Sequence, residues 1–357
     1  MSLGVAPSAR VINSRSKRRM LLPFLHKIAS GEDLSATEAH EAMLTILNGA
    51  ATTPQISAFL MGLRMKGETP EELLGFARAM REKTIRIDAC VEPESLLDTC
   101  GTGGGAGSTF NISTIAAFVV AGAGARVAKH GNRSFSTQCG SADILEQLGV
   151  DVSQSSERIG QAIREIGIGF LFAPLLHPAM RHAQAARMEL KMRTVFNLLG
   201  PLTNPAGATR QLIGAPSAHQ AELLANALAG LGPERAFVVH GTDGLDEVTT
   251  TGTTLVFEIA GHHVHSFQWT PADFGVPQAD IEDLRGGDRA RNAEIAAAVL
   301  NGQAGAQRDI VLVNSAAALL AAGLADNPLA GMERAAQSID SGAAWTKLQK
   351  LAEFSRG

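Results

Sequence analysis

Apolar residues recur at helical spacing along residues 35–83. Ser35 and Glu38 form a capping box at the start of this stretch, and Thr-Pro pairs at 53–54 and 69–70 each mark a further helix start. The three predicted helices end at Gly49, near Gly67 and at about Lys83. The pattern therefore predicts a small all-helical N-terminal domain.

After about residue 95, short apolar runs alternate with helical patterns. Alternating strands and helices predict a large α/β domain whose central, mainly parallel sheet is flanked by helices. The segment Thr254–Trp269, broken at Ala260-Gly261, predicts an antiparallel hairpin added to that sheet. The predicted strands are Ser95–Asp98, Ala125–Ala128, Gly169–Phe172 and Ala236–Val239, and the predicted helices are Ile112–Gly122, Ser141–Leu148 and Ala218–Leu231.

The composition supports a soluble globular protein. Of the 357 residues, 45% are hydrophobic and 18% charged, and no apolar run approaches the length of a membrane span. At roughly 100–200 residues per domain, this length favours two domains, with one unusually large domain as the alternative.

Charge is distributed unevenly along the chain. Residues 1–19 contain five basic residues and no acid, whereas residues 20–357 contain 26 basic and 35 acidic residues. We interpret residues 1–19 as a basic, disordered extension. The apolar run Leu21–Leu25 after it is too short for a signal peptide and is interrupted by His26 and Lys27. An acidic body disfavours a nucleic-acid surface.

The cysteines point to a reducing compartment. Cys90, Cys100 and Cys139 are odd in number and lack a Cys-x-x-Cys spacing. The sequence therefore indicates neither a disulfide framework nor a zinc site, and a cytoplasmic location fits.

A glycine-rich loop follows the first predicted strand. Residues 101–107 contain five glycines, and Asn111, Ser113 and Thr114 place polar groups at the start of the next helix. Converging backbone N–H groups at a helix start favour bound phosphate. The loop matches neither the P-loop nor the dinucleotide-binding pattern, and a flexible glycine linker is the alternative.

A second polar loop, Lys129–Ser134, follows the next predicted strand, and hydroxyls continue at Ser136, Thr137 and Ser141. Ligands of α/β sheets bind at the carboxyl ends of strands, where these donors suit a multiply charged oxyanion. A solvated loop with ordinary surface charge is the alternative. His130 taken alone suggests a structural hydrogen bond rather than a catalytic base.

An acidic loop, Asp243–Glu247, follows the strand that ends at Val239. Neighbouring carboxylates repel one another unless a cation lies between them, and hard oxygen ligands suit Mg²⁺. The alternative is an exposed acidic turn.

Arginines at 181, 187 and 193 flank the apolar, proline-bounded segment Phe196–Pro205. A guanidinium beside such a segment can bind a flat carboxylated ligand, because it pairs with carboxylates and stacks on rings. For any single position, a solvated surface arginine is the alternative.

Together these motifs resemble the anthranilate phosphoribosyltransferases. The resemblance runs from about Leu25 to the C-terminus and is carried by 101–114, 129–134, 140–143, 196–205 and 243–247. It implies phosphoribosyl transfer from 5-phosphoribosyl 1-pyrophosphate (PRPP) to anthranilate in tryptophan biosynthesis, with two Mg²⁺ ions per subunit. It also implies the fold of class III phosphoribosyltransferases and pyrimidine nucleoside phosphorylases, with hinges between the domains and homodimerisation through the helical domain.

The resemblance implies a discontinuous helical domain of residues 20–90 and a returning segment at about 178–198. Residues 91–177 and 199–357 then form the donor-binding α/β domain.

The resemblance also assigns roles to residues. The donor would be held by Gly101, Gly104, Gly105, Thr109, Asn111, Ile112, Ser113, Thr114, Lys129, His130, Gly131, Asn132, Arg133, Ser134, Ser136, Thr137 and Ser141. Anthranilate would contact Gly101, Asn132, His177 and Arg187, the last at its carboxylate. Ser113, Asp246 and Glu247 would bind Mg²⁺, and Lys129, Asn132 and Arg187 would be catalytic.

Two positions depart from the family pattern. Gly105 stands where an aspartate is usual, which predicts an altered response to Mg²⁺. Lys191 stands at the glycine position of a pattern, Leu-Gly-x-Arg-Thr, that is common in the family.

Two other functions remain open at this point. A pyrimidine nucleoside phosphorylase shares the fold, but its Lys-x-Ser-type base-binding signature is not evident, and Arg187 with Asn132 suits an acidic acceptor. A nucleic-acid-binding paralogue is disfavoured by the acidic body and the retained Asp246-Glu247 pair.

Overall fold

A computed structural model describes residues 20–89, 96–103, 109–134 and 139–357. Its helices are α1 (Leu22–Ala29), α2 (Ala36–Leu47), α3 (Thr53–Lys66), α4 (Pro70–Lys83), α5 (Ile112–Gly122), α6 (Ser141–Gln147), α7 (Ser156–Glu165), α8 (Ala173–Leu176), α9 (Arg181–Leu190), α10 (Phe196–Leu199), α11 (Ala218–Ala229), α12 (Arg289–Leu300), α13 (Ala306–Ala321), α14 (Pro328–Asp340) and α15 (Ala343–Ser355). Its strands are β1 (Leu96–Gly101), β2 (Arg126–Gly131), β3 (Ile168–Phe172), β4 (Arg210–Gly214), β5 (Arg235–Gly241), β6 (Thr254–Ala260) and β7 (His263–Trp269).

The N-terminal helices form the predicted helical domain. Capping boxes at the starts of α2, α3 and α4 satisfy backbone amides that the first helical turn leaves without partners. Phe59 of α3 and Phe76 of α4 are fully buried and meet edge to face. Helix α9, far along the chain, packs against α2 and α3.

The sheet has the strand order β3-β2-β1-β4-β5-β6-β7. The first five strands in this order are parallel, whereas β6 and β7 are the predicted antiparallel hairpin at one edge. The apolar helix α5 packs against β1 and β2 on one face and contacts α13, α14 and α15. The α/β prediction, with its mainly parallel sheet, is confirmed.

Sequence analysis assigns no element to β4, although β4 lies at the centre of the sheet. The strand begins with Arg210 and Gln211, so its apolar run is too short to recognise. Gln211 is nevertheless buried, because its side-chain amide donates to the Pro201 carbonyl at 2.8 Å. The C-terminal helices α12–α15 were also not predicted.

Strand order reverses between β1 and β4, because the chain moves from β1 to β2 in one direction and returns to β4 on the other side of β1. A crevice opens at the carboxyl ends of strands at such a point. Gly214 ends β4 there, and a Cβ at this position would collide with the Asp246 carbonyl. Glycine therefore lets the acidic loop approach the sheet.

No helix in the described ranges combines the length and apolar character needed to span a membrane.

Lys191 ends helix α9 in a left-handed conformation, with φ 47° and ψ 36°. This conformation strains a residue that has a Cβ, whereas glycine adopts it freely. We expect Lys191→Gly to raise the free energy of unfolding by about 0.5–1 kcal/mol, measured by urea denaturation. Met192→Gly is the matched control. Met192 is not in a left-handed conformation, so glycine relieves no strain there and should lower the free energy of unfolding. A Lys191→Gly variant less stable than wild type would contradict this account.

Candidate active site

A cavity of about 340 Å³ lies at the carboxyl edge of the sheet, where strand order reverses. The glycine-rich loop, the lysine-led loop, the acidic loop and the segment from α8 to α10 all contribute to its walls. The predicted site residues that line it are Gly101, Asn111, Ser113, Thr114, Lys129, His130, Gly131, Asn132, Arg133, Ser134, Ser141, Arg187, Asp246 and Glu247. The fold thus brings together motifs that are far apart in sequence.

Other predicted site residues lie elsewhere. Thr109 forms an isolated bridge with Arg285, and Ile112 is buried in the hydrophobic core under α5. His177 lies behind His130 rather than on the cavity wall. Gly104, Gly105, Ser136 and Thr137 lie outside the described residues.

Lys129 lines the cavity and is deeply buried, with only 3% of its surface exposed. None of the other charged residues predicted for the site and found in the cavity wall is as buried. Its Nζ donates to the Thr99 carbonyl. Burial lowers its pKa, while the nearby Asp98 carboxylate counteracts that effect. Lys129 therefore places a cation at the end of β2, held by a carbonyl oxygen.

Asp98 organises the loop behind Lys129, a role that sequence analysis missed. It is fully buried, accepts from the His130 backbone N–H at 3.0 Å and accepts from the Asn204 side chain at 2.8 Å. Burial raises its pKa. Asp98 thereby ties the start of the lysine-led loop to the segment after α10. An aspartate within an apolar strand was the available signal.

Arg133 lines the cavity but is already engaged in ion pairs. Its guanidinium bonds both oxygens of Glu146, at 2.6 and 2.5 Å, and Asp143 at 3.2 Å. Asp143 also accepts from the backbone amides of Ser134 and Gly140. This carboxylate holds the end of the lysine-led loop at Ser134 and the start of α6 at Gly140.

The acidic loop places two carboxylates, Asp246 and Glu247, in the cavity wall. Desolvation of its carboxyl and the negative charge of Asp246 raise the pKa of Glu247 to about 8. The Ser113 backbone amide bonds Glu247, and the Ser113 hydroxyl is the third hard oxygen at this place. Two repelling carboxylates beside a hydroxyl suit Mg²⁺, which commonly binds one or two carboxylates plus substrate phosphates. The residues present therefore fit the ion.

Asp243 in the same loop has a different role. It accepts from the Leu245 backbone N–H at 3.0 Å and from the Thr249 and Thr251 hydroxyls. It does not line the cavity. Asp243 therefore shapes the acidic loop.

Arg187 lies on the opposite side of the cavity, above the Phe196 ring at 5.4 Å from its centroid. Burial lowers its pKa, and no carboxylate of the described residues lies within ion-pair distance of it. A half-buried guanidinium without such a partner is stabilised by a carboxylate that a ligand brings. Ala173 and Asn197 also line this side.

Arg193, one of the arginines that sequence analysis placed beside the Phe196–Pro205 segment without assigning it to a substrate, lines the cavity. Its guanidinium donates to the Thr102 carbonyl at 3.0 Å, beside the glycine-rich loop. Burial lowers its pKa, and Asp246 opposes that shift. Arg193 connects the acceptor side of the cavity to the donor side.

Two buried histidines form a hydrogen-bonded chain behind the cavity. His130 Nδ1 lies 3.1 Å from the Gly200 carbonyl, the two Nε2 atoms are 3.2 Å apart, and His177 Nδ1 lies 2.8 Å from the Thr84 hydroxyl. A carbonyl only accepts, so His130 donates through Nδ1, and its Nε2 is then free to accept from His177 Nε2 in the neutral form. The single proton of the Thr84 hydroxyl lies between the Met80 carbonyl and His177 Nδ1.

This pair predicts a specific loss of stability in acid. Burial lowers the pKa of His130 to about 3 and that of His177 to about 4. Below about pH 6.5 the unfolded chain takes up protons that the folded chain does not, so stability falls by up to about 1.4 kcal/mol per histidine per pH unit. Above that pH the pair contributes no pH dependence.

Urea denaturation of wild type and of a His130→Gln, His177→Gln double variant, from about pH 7 to about pH 4.5, measures this effect. The difference in the free energy of unfolding between wild type and the double variant should become smaller as the pH falls. His263→Gln, on the exposed edge strand, is the control for loss of an imidazole. A difference that stays constant with pH would contradict the prediction.

Family models match both parts of the chain. The model described as the helical bundle domain of the glycosyl transferase family matches residues 22–84. The model described as the a/b domain of the same family matches residues 93–345.

Similar proteins cover nearly the whole chain. Anthranilate phosphoribosyltransferase of Solibacter usitatus (strain Ellin6076) is 60% identical over 334 residues, which cover 94% of this chain and 98% of that protein. The crystal structure of anthranilate phosphoribosyltransferase (TrpD) from Thermus thermophilus has a TM-score of 0.87 at 41% identity and covers 93% of this chain and 99% of its own. The Saccharomyces cerevisiae enzyme in complex with PRPP and Mg has a TM-score of 0.86 at 30% identity and covers 94% and 98%.

Proposed function

Because the chain belongs to the anthranilate phosphoribosyltransferase family, we propose that the cavity at the carboxyl edge of the sheet binds PRPP and anthranilate side by side. The chain transfers the 5-phosphoribosyl group from PRPP to the amine of anthranilate, giving N-(5-phosphoribosyl)anthranilate and pyrophosphate in tryptophan biosynthesis. One observation carries the placement of the site: three polar loops and the half-buried Arg187 line a single cavity.

We assign the donor to the side of the cavity formed by the glycine-rich and lysine-led loops. Gly101, Asn111, Ser113 and Thr114 offer donors at the start of α5, where the helix N-terminus favours phosphate. Lys129 adds a positive charge that Thr99 holds in place. The remaining donor residues proposed from sequence are Gly104, Gly105, Thr109, Ile112, His130, Gly131, Asn132, Arg133, Ser134, Ser136, Thr137 and Ser141.

The chain uses Mg²⁺, as the bound Mg in related structures supports. We propose that Asp246, Glu247 and Ser113 hold it, as two ions per subunit. When bound, Mg²⁺ neutralises charge on the diphosphate and stabilises it as a leaving group.

We assign anthranilate to the opposite side of the cavity. The Arg187 guanidinium would pair with the carboxylate, and its stacking on Phe196 holds it there. Gly101 and Asn132 complete the proposed contacts, and His177 supports them from behind His130.

The mechanism follows from where charge develops. Breaking the bond between ribose C1 and pyrophosphate makes the sugar positive and the leaving group negative. Lys129 and the backbone amides of the glycine-rich loop stabilise the leaving group, while Asn132 and Arg187 hold the amine near C1. The amine attacks C1 and then loses its proton readily, so we assign no strong general base. The contacts of His130 support this, because Gly200 and His177 occupy both of its ring nitrogens.

We also propose the domain organisation and assembly. Residues 20–90 with about 178–198 would form the helical domain, and residues 91–177 and 199–357 the α/β domain that closes over the substrates and excludes water. The family resemblance implies homodimerisation through the helical domain, whose segments expose Met20, Met65 and Met188. The buried thiols of Cys100 and Cys139 support a cytoplasmic location.

The experiment that tests this function follows anthranilate fluorescence with purified protein, PRPP and Mg²⁺. We expect consumption that requires all three and releases pyrophosphate. Pyrimidine nucleosides with inorganic phosphate form the comparison arm, which a nucleoside phosphorylase would turn over. Absence of anthranilate consumption with the folded protein would contradict the proposal.

A further inference from the structure

The segment 285–292 at the start of α12 contacts the residues that follow the glycine-rich loop and helix α6, which follows the lysine-led loop. Arg285 bridges Thr109, and a side chain at Gly286 would collide with the Phe110 backbone. Arg289 pairs with Asp143 of α6 at 2.7 Å, and Asp143 also accepts from the Ser134 backbone amide at the end of the lysine-led loop. Sequence analysis gave this segment no role.

Asn292 connects this segment to the cavity through a ladder of amide hydrogen bonds. Its Oδ1 accepts from the Gly287 backbone N–H at 2.8 Å, and its Nδ2 donates to Asn111 Oδ1 at 3.0 Å. Asn111 Nδ2 in turn donates to the Cys139 carbonyl at 3.1 Å. Asn292 is 2% exposed, so water cannot readily replace these bonds.

The ladder has one favourable orientation. The Cys139 carbonyl only accepts, so Asn111 must direct Nδ2 toward it and Oδ1 toward Asn292. Asn111 and Cys139 both line the cavity, whereas Asn292 does not. The ladder therefore fixes the start of α5, which follows the glycine-rich loop, relative to Cys139, which lies just before α6.

We infer that Asn292 is a positioning residue for the phosphoribosyl donor: it orients the Asn111 amide and thereby fixes the start of α5, where the diphosphate is proposed to bind, relative to Cys139 in the cavity wall. This inference rests on the proposed function. Anthranilate lies on the other side of the cavity in that proposal, so Asn292 should affect the donor alone.

Steady-state kinetics test the inference with Asn292→Ala, Asn111→Ala and the double variant. Asn292→Ala should raise the KM for PRPP by about tenfold, equivalent to about 1.4 kcal/mol, and leave kcat and the KM for anthranilate within about twofold. Because Asn292 acts through Asn111, the double variant should be no worse than the more impaired single variant. Asn301→Ala removes a hydrogen bond to Ala297 at the other end of α12 and is the matched control, with wild-type kinetics expected.

Asn292→Asp provides a second variant that keeps an acceptor for Gly287, replaces the donor to Asn111 with a carboxylate oxygen and adds a negative charge. It should raise the KM for PRPP as well, and it is the measured variant if Asn292→Ala is recovered unfolded. An unchanged KM for PRPP in folded variants, additive losses with Asn111→Ala, or an equal rise in the KM for anthranilate would overturn the inference. An inactive wild type would instead overturn the proposed function.

Discussion

Replacing Asp246 with asparagine and Glu247 with glutamine together is expected to lower kcat/KM for PRPP by about a thousandfold, or about 4 kcal/mol of transition-state stabilisation. The substitutions preserve side-chain size but remove the negative charges that attract a divalent cation. Initial rates over a Mg²⁺ titration measure the effect, and the variant should lose most of its response to the ion.

Asp243→Asn is the matched control within the same loop. Its carboxylate bonds Thr249 and Leu245 rather than facing the cavity, so the variant should lose stability and keep its Mg²⁺ response. If the double variant at 246 and 247 showed a wild-type Mg²⁺ titration, this loop would not be the metal site.

Arg187→Ala is expected to raise the KM for anthranilate by about a hundredfold, equivalent to about 2.7 kcal/mol. The half-buried guanidinium lies over Phe196, and the proposed ligand carboxylate would be its ionic partner. Removing it leaves that carboxylate without a partner, while the KM for PRPP should change little. Steady-state kinetics with each substrate varied in turn separate the two effects.

Two further variants on helix α9 serve as comparisons for Arg187→Ala. Arg187→Lys keeps the charge but loses the planar fork and its stacking, so it should recover only part of the affinity. Arg181→Ala removes an exposed arginine at the start of α9 and should behave as wild type. A normal KM for anthranilate in Arg187→Ala would remove Arg187 from the acceptor site.

Much of the fold was predictable because its signals are local. Capping boxes mark the N-terminal helices, and the break at Ala260-Gly261 marks the hairpin of β6 and β7. Strand β4 was missed because a side-chain bond to a carbonyl, rather than an apolar side chain, allows Gln211 to be buried. The spacing of apolar residues in the sequence cannot indicate such a bond.

The site residues likewise include some that sequence patterns predict and others that they do not. The glycine-rich, lysine-led and acidic loops were predictable because the donors within each are close in sequence, and β-strand order brings the loops together. The supporting residues were not, since their partners are distant: Asp98 bonds Asn204, 106 residues away, and Asn292 bonds Asn111, 181 residues away. The effect of Gly105 on Mg²⁺ use stays a prediction, and identical Mg²⁺ titrations of wild type and Gly105→Asp would contradict it.

A crystal of the protein soaked with PRPP and Mg²⁺ tests the central claim most directly. We expect density for the diphosphate between Lys129 and the start of α5, with the metal at Asp246 and Glu247 and the ribose facing Arg187 across the cavity. Density for the donor at any other place on the molecule, with this cavity empty, would contradict the account.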